Sequence, residues 1–209
     1  MICVFCLRIT IFCLLTGLLA GCQSPKRCCC QRDTGGAPSQ VGKSVLEVKT
    51  GWQSDDGTTC KLADFHGHPL VISMFFSSCE GVCLITKNDM QAVEASLPSA
   101  VREAAVFVLV TLDPDHDTPT VLHQYRVEHG LSTTRWRLLR GSPADTAALA
   151  TLLGIGYGRD TSGRFKHSSE INVLDGAGNI VFAQDGINAD LTQAVQAVVA
   201  ASKSSDCSL

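Results

Sequence analysis

Two continuous apolar runs stand out in the pattern of hydrophobic and polar positions along this chain. Residues 70–76 have the sequence LVISMFF and residues 105–112 have the sequence AVFVLVTL, and both are rich in β-branched and aromatic side chains. Such runs, without alternating polar positions, are typical of strands that are buried on both faces of a sheet. We therefore predict that these two segments form the centre of the fold.

After the first run, the period of the apolar positions becomes helical and stays so until Pro98, which should end the helix. The residues on this apolar face are Val82, Ile85, Met90, Val93 and Leu97. Further helices are predicted over residues 118–129, 143–153 and 190–201. Thr118 and Ser142 are good N-cap residues, and each precedes a proline at the first helical position.

Shorter strands complete the predicted set of elements. They are expected over residues 45–48, 58–62, 136–139, 171–174 and 180–182. The strand at 58–62 should pair back across a turn at residues 55–57, and the last two strands should form a hairpin around residues 175–178. Strands and helices in this order predict an α/β fold, a three-layer sandwich of thioredoxin type. It forms a single domain over residues 44–203, and residues 204–209 form a C-terminal tail.

The first 21 residues have the pattern of a secretory signal peptide. They contain one charge, Arg8, followed by an apolar run over residues 9–20 that is too short to span a bilayer comfortably. The run ends in Leu-Ala-Gly before Cys22, which resembles the bacterial lipobox. We expect Cys22 to carry lipid and to hold the chain on the bacterial cell membrane, facing the periplasm or extracytoplasmic space. An ordinary signal peptide and an uncut anchor are the alternatives.

Residues 22–43 are rich in Ser, Gly, Pro and Arg and have no apolar period, so they are predicted to be a flexible tether. Cys28, Cys29 and Cys30 lie within it. They suit either a soft-metal tract or simpler roles, namely further acylation, unused thiols or a disulfide with a partner. The simpler roles are favoured, because three adjacent cysteines in such a tether hold no defined geometry.

Composition narrows the class of protein. The chain has 209 residues, of which 45% are hydrophobic and 18% charged, which is enough for one globular domain with a real core. Its net charge of −3 argues against a nucleic-acid partner. Eleven cysteines are many for this length, and an extracytoplasmic location would allow both disulfides and metal loading.

Cys79 and Cys83 lie where the first central strand ends and its helix begins. Sites in such folds lie at the carboxyl ends of the strands, and a helix N-terminus favours thiolates. A spacing of i and i+4 puts both sulfurs on one side of the first turn. The pair can therefore chelate one ion or close one disulfide. A structural disulfide or two buried apolar cysteines are the alternatives.

His167 precedes the strand at 171–174, in the loop that abuts the cysteine turn in a thioredoxin-like sandwich. Redox thioredoxins usually have a cis-proline at that place, whereas this chain has no proline after Pro143. We therefore interpret His167 as a third ligand, and an ordinary surface or core histidine is the alternative. Two thiolates and one imidazole suit copper(I) and can also hold copper(II), whereas zinc would normally require a fourth ligand.

Three separate motifs follow one another along the predicted domain. They are Cys79-x3-Cys83 after Phe75-Phe76, TLDPDHDTP at residues 111–119 with Tyr125 behind it, and His167 before INVLDGAG at residues 171–178. In this order they resemble the Sco/SenC family, over about residues 45–200. The resemblance implies an anchored copper chaperone that helps to assemble the copper A centre of cytochrome c oxidase.

By this resemblance the copper ligands are Cys79, Cys83 and His167, and Asp113 lies close to them. The resemblance also implies a copper-receiving membrane protein, such as cytochrome c oxidase subunit II, as the partner.

The chain departs from the family at two positions. The family usually has proline directly after each cysteine, where this chain has Glu80 and Leu84. Without the prolines the loop is looser, and the charge of Glu80 disfavours thiolates but favours a bound cation. These departures leave another copper enzyme, or a role in stress defence, open as alternatives to delivery to the oxidase.

The same two cysteines also suit a thiol–disulfide reductase or a peroxidase-like enzyme that keeps the cysteines of a copper-site partner reduced. A reductase needs only the two thiols, whereas copper affinity needs His167 as well. The Cys-x3-Cys spacing departs from the Cys-x2-Cys of common oxidoreductases and favours the chaperone. A disulfide-locked binding module without metal is the third possibility.

The other candidate ligands give weaker signals. The remaining histidines are expected at the surface: His66, His68, His116, His123 and His129. Cys60 and Cys207 can pair only if the fold brings them together. Asp113, Asp115 and Asp117 lack the glycine and the bidentate glutamate that follow in an EF-hand, which argues against calcium.

Overall fold

The computed structural model describes residues 44–159, 161, 165–185 and 190–205. The predicted signal peptide, the lipobox cysteine, the tether with its three cysteines, and Cys207 lie outside the described residues. Over the described ranges, the helices are all too short or too polar to cross a bilayer.

A mixed sheet of seven strands forms the middle layer of the fold. Its strands are β1 (Trp52–Ser54), β2 (Thr59–Cys60), β3 (Leu70–Phe75), β4 (Val106–Thr111), β5 (Trp136–Arg140), β8 (Glu170–Leu174) and β9 (Ile180–Asp185). Their order is β2-β1-β5-β4-β3-β8-β9, and β3 pairs with β4 in parallel and with β8 antiparallel. The two predicted central strands are thus confirmed as neighbours in the sheet. Every side chain of β3 is buried, as its unbroken apolar run requires.

Helices cover both faces of this sheet. They are α1 (Val82–Ser96), α2 (Ser99–Ala104), α3 (Pro119–Glu128), α4 (Pro143–Leu152) and α5 (Thr192–Ser205). The core on one face contains apolar side chains of α1, α3 and α5, whereas the core on the other face contains those of α4. The predicted N-caps are confirmed, because the hydroxyls of Thr118 and Ser142 accept hydrogen bonds from the backbone N–H groups of Val121 and Asp145. The predicted three-layer α/β sandwich is therefore the observed fold.

The predicted strand at residues 45–48 is wrong, because Val45–Glu47 is a turn of 3₁₀-helix. The backbone N–H of Glu47 donates to Ser44 O over 3.1 Å, the i→i−3 bond of a 3₁₀ turn, and both Val45 and Leu46 are buried. Ser44 caps the turn, and the backbone N–H of Val45 donates to Gly178 O over 3.0 Å. The first described residues are therefore fixed against the turn between β8 and β9. Of the strand predicted at 58–62, only Thr59–Cys60 is present, and it pairs with β1.

Besides β1 and a 3₁₀ turn at Leu62–Phe65, the structure adds two features that the apolar pattern does not show. One is the short helix α2, none of whose residues is buried. The other is a hairpin of β6 (Tyr157–Arg159) and β7 (Phe165–His167), which pair antiparallel in a separate small sheet. The segment expected to be a loop before β8 is therefore partly a strand, and this strand carries His167.

A buried ion pair joins α3 to the start of the sheet. Arg126 donates to both carboxylate oxygens of Asp55, with Nε–Oδ2 and Nη2–Oδ1 distances of 2.5 and 2.6 Å. The side chains of Asp55 and Arg126 are only 3% and 7% exposed. Burial alone raises the pKa of Asp55, but the hydrogen bond and the charge of Arg126 lower it below its usual value. The carboxylate is therefore held ionised inside the protein.

Candidate metal centre

The two cysteines lie at the carboxyl end of β3, as predicted. The backbone N–H of Cys79 donates to Phe76 O over 3.1 Å, which closes a tight turn directly after the strand. Cys83 is the second residue of α1, and its side chain is buried, whereas Cys79 is half-buried. Both are free thiols. One sulfur is thus sealed against the core while the other remains within reach of solvent.

His167 reaches this turn from the opposite side, at the end of β7. Its Nε2 atom lies 2.9 Å from Cys83 Sγ. Its Nδ1 atom lies 2.8 Å from the backbone oxygen of Ser168, which can only accept, so Nδ1 carries the proton. The ring of Phe76 meets the imidazole edge-on, with centroids 5.7 Å apart. The lone pair of Nε2 therefore faces the thiols, which is the tautomer that a metal ligand requires.

Together the three side chains form a compact donor set. One ligand atom from each of Cys79, Cys83 and His167 lies within 4.8 Å of the other two. By the bond lengths of zinc sites, about 2.3 Å to sulfur and 2.0 Å to nitrogen, one ion holds such donors roughly 3.5–4 Å apart. The donor set therefore fits a single ion after small side-chain shifts. Its two sulfurs and one imidazole suit a soft, three-coordinate ion such as copper(I).

Burial sets the protonation of this site. It raises the pKa of the Cys83 thiol, and the hydrogen bond with Cys79 raises it further. Burial also lowers the pKa of His167, against a smaller opposing effect of the hydrogen bond to Ser168. Without metal, the site at neutral pH therefore holds a protonated Cys83 and a neutral imidazole. The Cys83 thiol donates its proton toward His167 Nε2, the same lone pair that a metal ion would use.

A buried carboxylate supports the cysteine turn, and it belongs to Asp117, which is only 2% exposed. It accepts hydrogen bonds from Ser77 N at 3.0 Å, from Thr111 Oγ1 at 2.5 Å, and from the Ser77 hydroxyl. Ser77 lies two residues before Cys79. Asp117 thus fixes the segment between the end of β3 and the first ligand. Nothing in the sequence pattern distinguished it from the other acids of its loop.

Asp113, the acid that the family resemblance puts close to the metal, lies at the start of the same loop. Its carboxylate oxygens are each 2.9 Å from Nδ1 of His116, whose side chain is 75% exposed. Its predicted place beside the copper site stays a prediction.

The remaining candidate ligands lie away from the donor set. Cys60 is a free, half-buried thiol in β2, at the far edge of the sheet. Four of the five other histidines are exposed, as expected: His66, His68, His116 and His123. His129 is the exception, because it is half-buried with its ring 4.2 Å from that of Tyr125. Over the described residues, Cys79, Cys83 and His167 are the only group of three or more side chains placed to hold a metal.

The fold and the site together define a thioredoxin-like protein with a donor set of two cysteines and one histidine. The sequence model of the SCO1/SenC family matches residues 51–201, which is more than half of the 209-residue chain. The chain therefore belongs to the SCO1/SenC family, as the motif resemblance predicted.

Individual relatives are distant in sequence but similar in fold. Copper-bound ScoI from Arabidopsis thaliana is 20% identical, with a TM-score of 0.62 over 74% of this chain and 96% of that one. A SCO1/SenC family lipoprotein from Bacillus anthracis is 21% identical, with a TM-score of 0.65 over 72% of this chain and 90% of that one. A protein from Stutzerimonas stutzeri, described as a candidate copper-binding protein, is 38% identical over 50 residues, which are 24% of each chain.

Proposed function

We propose that this protein is a copper metallochaperone that binds one copper ion through Cys79, Cys83 and His167. The observation that carries the proposal is the convergence of these three donors within 4.8 Å. The donor types match the preference of copper(I) for thiolates and imidazole. Family membership supports the choice of metal, since structures with copper bound are known for ScoI from Arabidopsis thaliana and from Bradyrhizobium japonicum.

The burial of the donors suits copper as a cargo. Cys83 is sealed in the core, so it holds the ion at a fixed place. Cys79 is half-buried, so a ligand of a receiving protein can approach it. Binding releases the thiol protons, because thiolates are the ligands. We expect the ion to leave by exchange of ligands at Cys79, with His167 and Cys83 released last.

We further propose that the chain is anchored by lipid on Cys22, faces the periplasm, and serves the copper centre of cytochrome c oxidase. The leader and lipobox pattern supports the anchor, and a family member from Bacillus anthracis is itself described as a lipoprotein. BsSco, a fold relative with 21% identity, is described as a cytochrome c oxidase assembly protein. Replacing Cys22 with serine should abolish labelling by fatty acid. Deleting the gene should lower the copper content of the oxidase, and labelled lipid on the serine variant would contradict the anchor.

The copper site is tested with His167→Ala, Cys79→Ser and Cys83→Ser in the full chain. Cys28, Cys29 and Cys30 are replaced by serine in every variant, so that only the folded site is measured. His167→Ala should weaken copper(I) binding by about 10- to 100-fold in competition with a chromogenic chelator. The exposed His66→Ala is the matched control and should bind like the parent. Loss of tight binding in the parent, once the tether cysteines are replaced, would place the site in the tether instead.

Thiol–disulfide exchange is the second candidate function, favoured by the closeness of the two sulfur atoms, which lie within 4.8 Å of each other. Measuring the dithiol reduction potential of the same variants separates thiol–disulfide exchange from copper binding. The chaperone proposal expects His167→Ala to keep a working dithiol while losing copper affinity. If His167→Ala binds copper like the parent but loses reductase activity, the imidazole serves thiol chemistry and the enzyme is the better description.

A further inference from the structure

The His167 segment and the first turn of α1 are joined by two hydroxyl groups. Thr86 Oγ1 lies 2.6 Å from Ser169 Oγ and donates to the backbone oxygen of Val82 over 3.0 Å. A hydroxyl has one proton and a carbonyl can only accept, so Ser169 is the donor to Thr86. The result is a chain of hydrogen bonds from Ser169 through Thr86 to Val82.

This chain connects the backbones on which two of the donors are mounted. Val82 is the residue before Cys83, and Ser169 is two residues after His167. Thr86 is 3% exposed and Ser169 is half-buried, so water competes little for these bonds. A hydrogen bond in such surroundings is stronger than one at the surface.

Other contacts hold the same segment only against the sheet and its neighbours. Ser168 exchanges hydrogen bonds with Gly156, at 2.8 Å from its N–H and 3.1 Å to its hydroxyl. Ser73 Oγ donates to the backbone oxygen of Glu170 over 2.6 Å. Of the hydrogen bonds described here for residues 168–170, the bond between Ser169 and Thr86 is therefore the one that reaches α1, the helix that carries Cys83.

We propose that Thr86 and Ser169 are positioning residues that set the distance between His167 Nε2 and Cys83 Sγ and thereby the copper affinity. The inference rests on the proposed copper function. The hydroxyls of Thr86 and Ser169 bond to each other and to Val82 O, so their effect is transmitted through the backbones of Val82 and of the segment after His167. Groups hydrogen-bonded directly to a metal ligand typically change metal affinity by 10- to 100-fold, and an effect through the backbone should lie at the low end of that range.

The test uses Thr86→Val, which keeps the shape and removes the hydroxyl, and Thr86→Ser, which keeps the hydroxyl. Copper(I) affinity should fall about tenfold in Thr86→Val and stay near the parent value in Thr86→Ser. Ser169→Ala should match Thr86→Val, and the double variant should be no worse than either, because each single change already removes the bond between Ser169 and Thr86. Additive losses, or a Thr86→Ser variant as weak as Thr86→Val, would overturn the proposal.

Thr151→Val is the matched control. Thr151 also donates to the carbonyl four residues earlier, Ala147 O, over 2.9 Å, but it lies on α4 at the opposite face of the sheet. It should bind copper like the parent. Circular dichroism melts report whether each variant is folded. If Thr86→Val does not fold, Ser169→Ala tests the proposal in its place.

A measurement without copper separates this inference from the proposed function. In the reduced, copper-free full chain, ¹⁵N NMR of His167 should show Nε2 accepting a hydrogen bond from Cys83. Thr86→Val should weaken that signature and Thr86→Ser should keep it. An unchanged signature refutes the positioning role whatever the copper data show. If Thr86→Val weakens the signature but the parent itself fails to bind copper(I), the copper function is refuted and the positioning role stands.

Discussion

Replacing Asp117 with asparagine tests how the cysteine turn is held. The carboxylate accepts three hydrogen bonds, two from Ser77 and one from Thr111. An asparagine is neutral, so all three hydrogen bonds lose their charge assistance, and its NH₂ group takes the place of one acceptor oxygen. A hydrogen bond to a charged group contributes about 1.5–3 kcal/mol against about 1 kcal/mol for a neutral one, so the change costs about 1.5–3 kcal/mol in total. We expect the free energy of unfolding to fall by about that amount in urea denaturation of the reduced protein.

The same change should also weaken copper(I) binding by about tenfold, because Ser77 would no longer be fixed two residues before Cys79. Asp113→Asn is the matched control, since it makes the same aspartate-to-asparagine replacement four residues earlier. Asp113 is bonded to the exposed His116, so its replacement should alter the free energy of unfolding by less than about 1 kcal/mol. If Asp113→Asn loses more copper affinity than Asp117→Asn, the acid implied by the family resemblance supports the site and the reasoning about Asp117 is wrong.

Three further predictions concern stability. Asp55→Asn leaves Arg126 buried without its counterion and should lower the free energy of unfolding by about 3–5 kcal/mol. Because the pKa of Asp55 is lowered in the folded state, the pair stabilises above the unfolded pKa of about 3.9. The difference in the free energy of unfolding between the parent and Asp55→Asn should therefore shrink as the pH falls below about 4. A difference that stays constant with pH would contradict the ion pair. Tyr125→Phe removes a buried hydroxyl that has no hydrogen-bond partner among the described residues, so the free energy of unfolding should stay the same or rise by up to about 1 kcal/mol in thermal melts; a clear loss would reveal a partner. Gly178→Ala should cost about 2–4 kcal/mol, since φ is +83° there and a Cβ would meet Ser44; an unchanged melting temperature would show that this turn can shift.

The parts of the fold that the sequence predicted well are those with a strong local signal. β3 and β4 are long apolar runs, and α3 and α4 begin at hydroxyl caps followed by proline. The segment at 45–48 was misjudged because four residues of alternation cannot distinguish a strand from a tight turn whose two apolar residues fill the core. The hairpin of β6 and β7 was missed because its pairing, Tyr157 with His167, depends on residues ten positions apart.

The site was predictable for a different reason. Cys79 and Cys83 are fixed by the strand-to-helix boundary, which the period of apolar positions shows directly. The acid that supports them was not predictable, because Asp113, Asp115 and Asp117 alternate along one short loop. Which of them points inward is decided by a tight turn, in which the N–H groups of His116 and Asp117 both donate to the backbone oxygen of Asp113.

The attachment of Val45 to Gly178 sets where the described part of the chain begins relative to the donor set. Gly178 follows β8, whereas His167 precedes it, so the chain enters the domain at one end of the sheet and the donor set lies at the other. Five residues of strand separate the two ends, about 17 Å at 3.3 Å per residue. With a lipid on Cys22, a pull through the chain would act on the end remote from the donors.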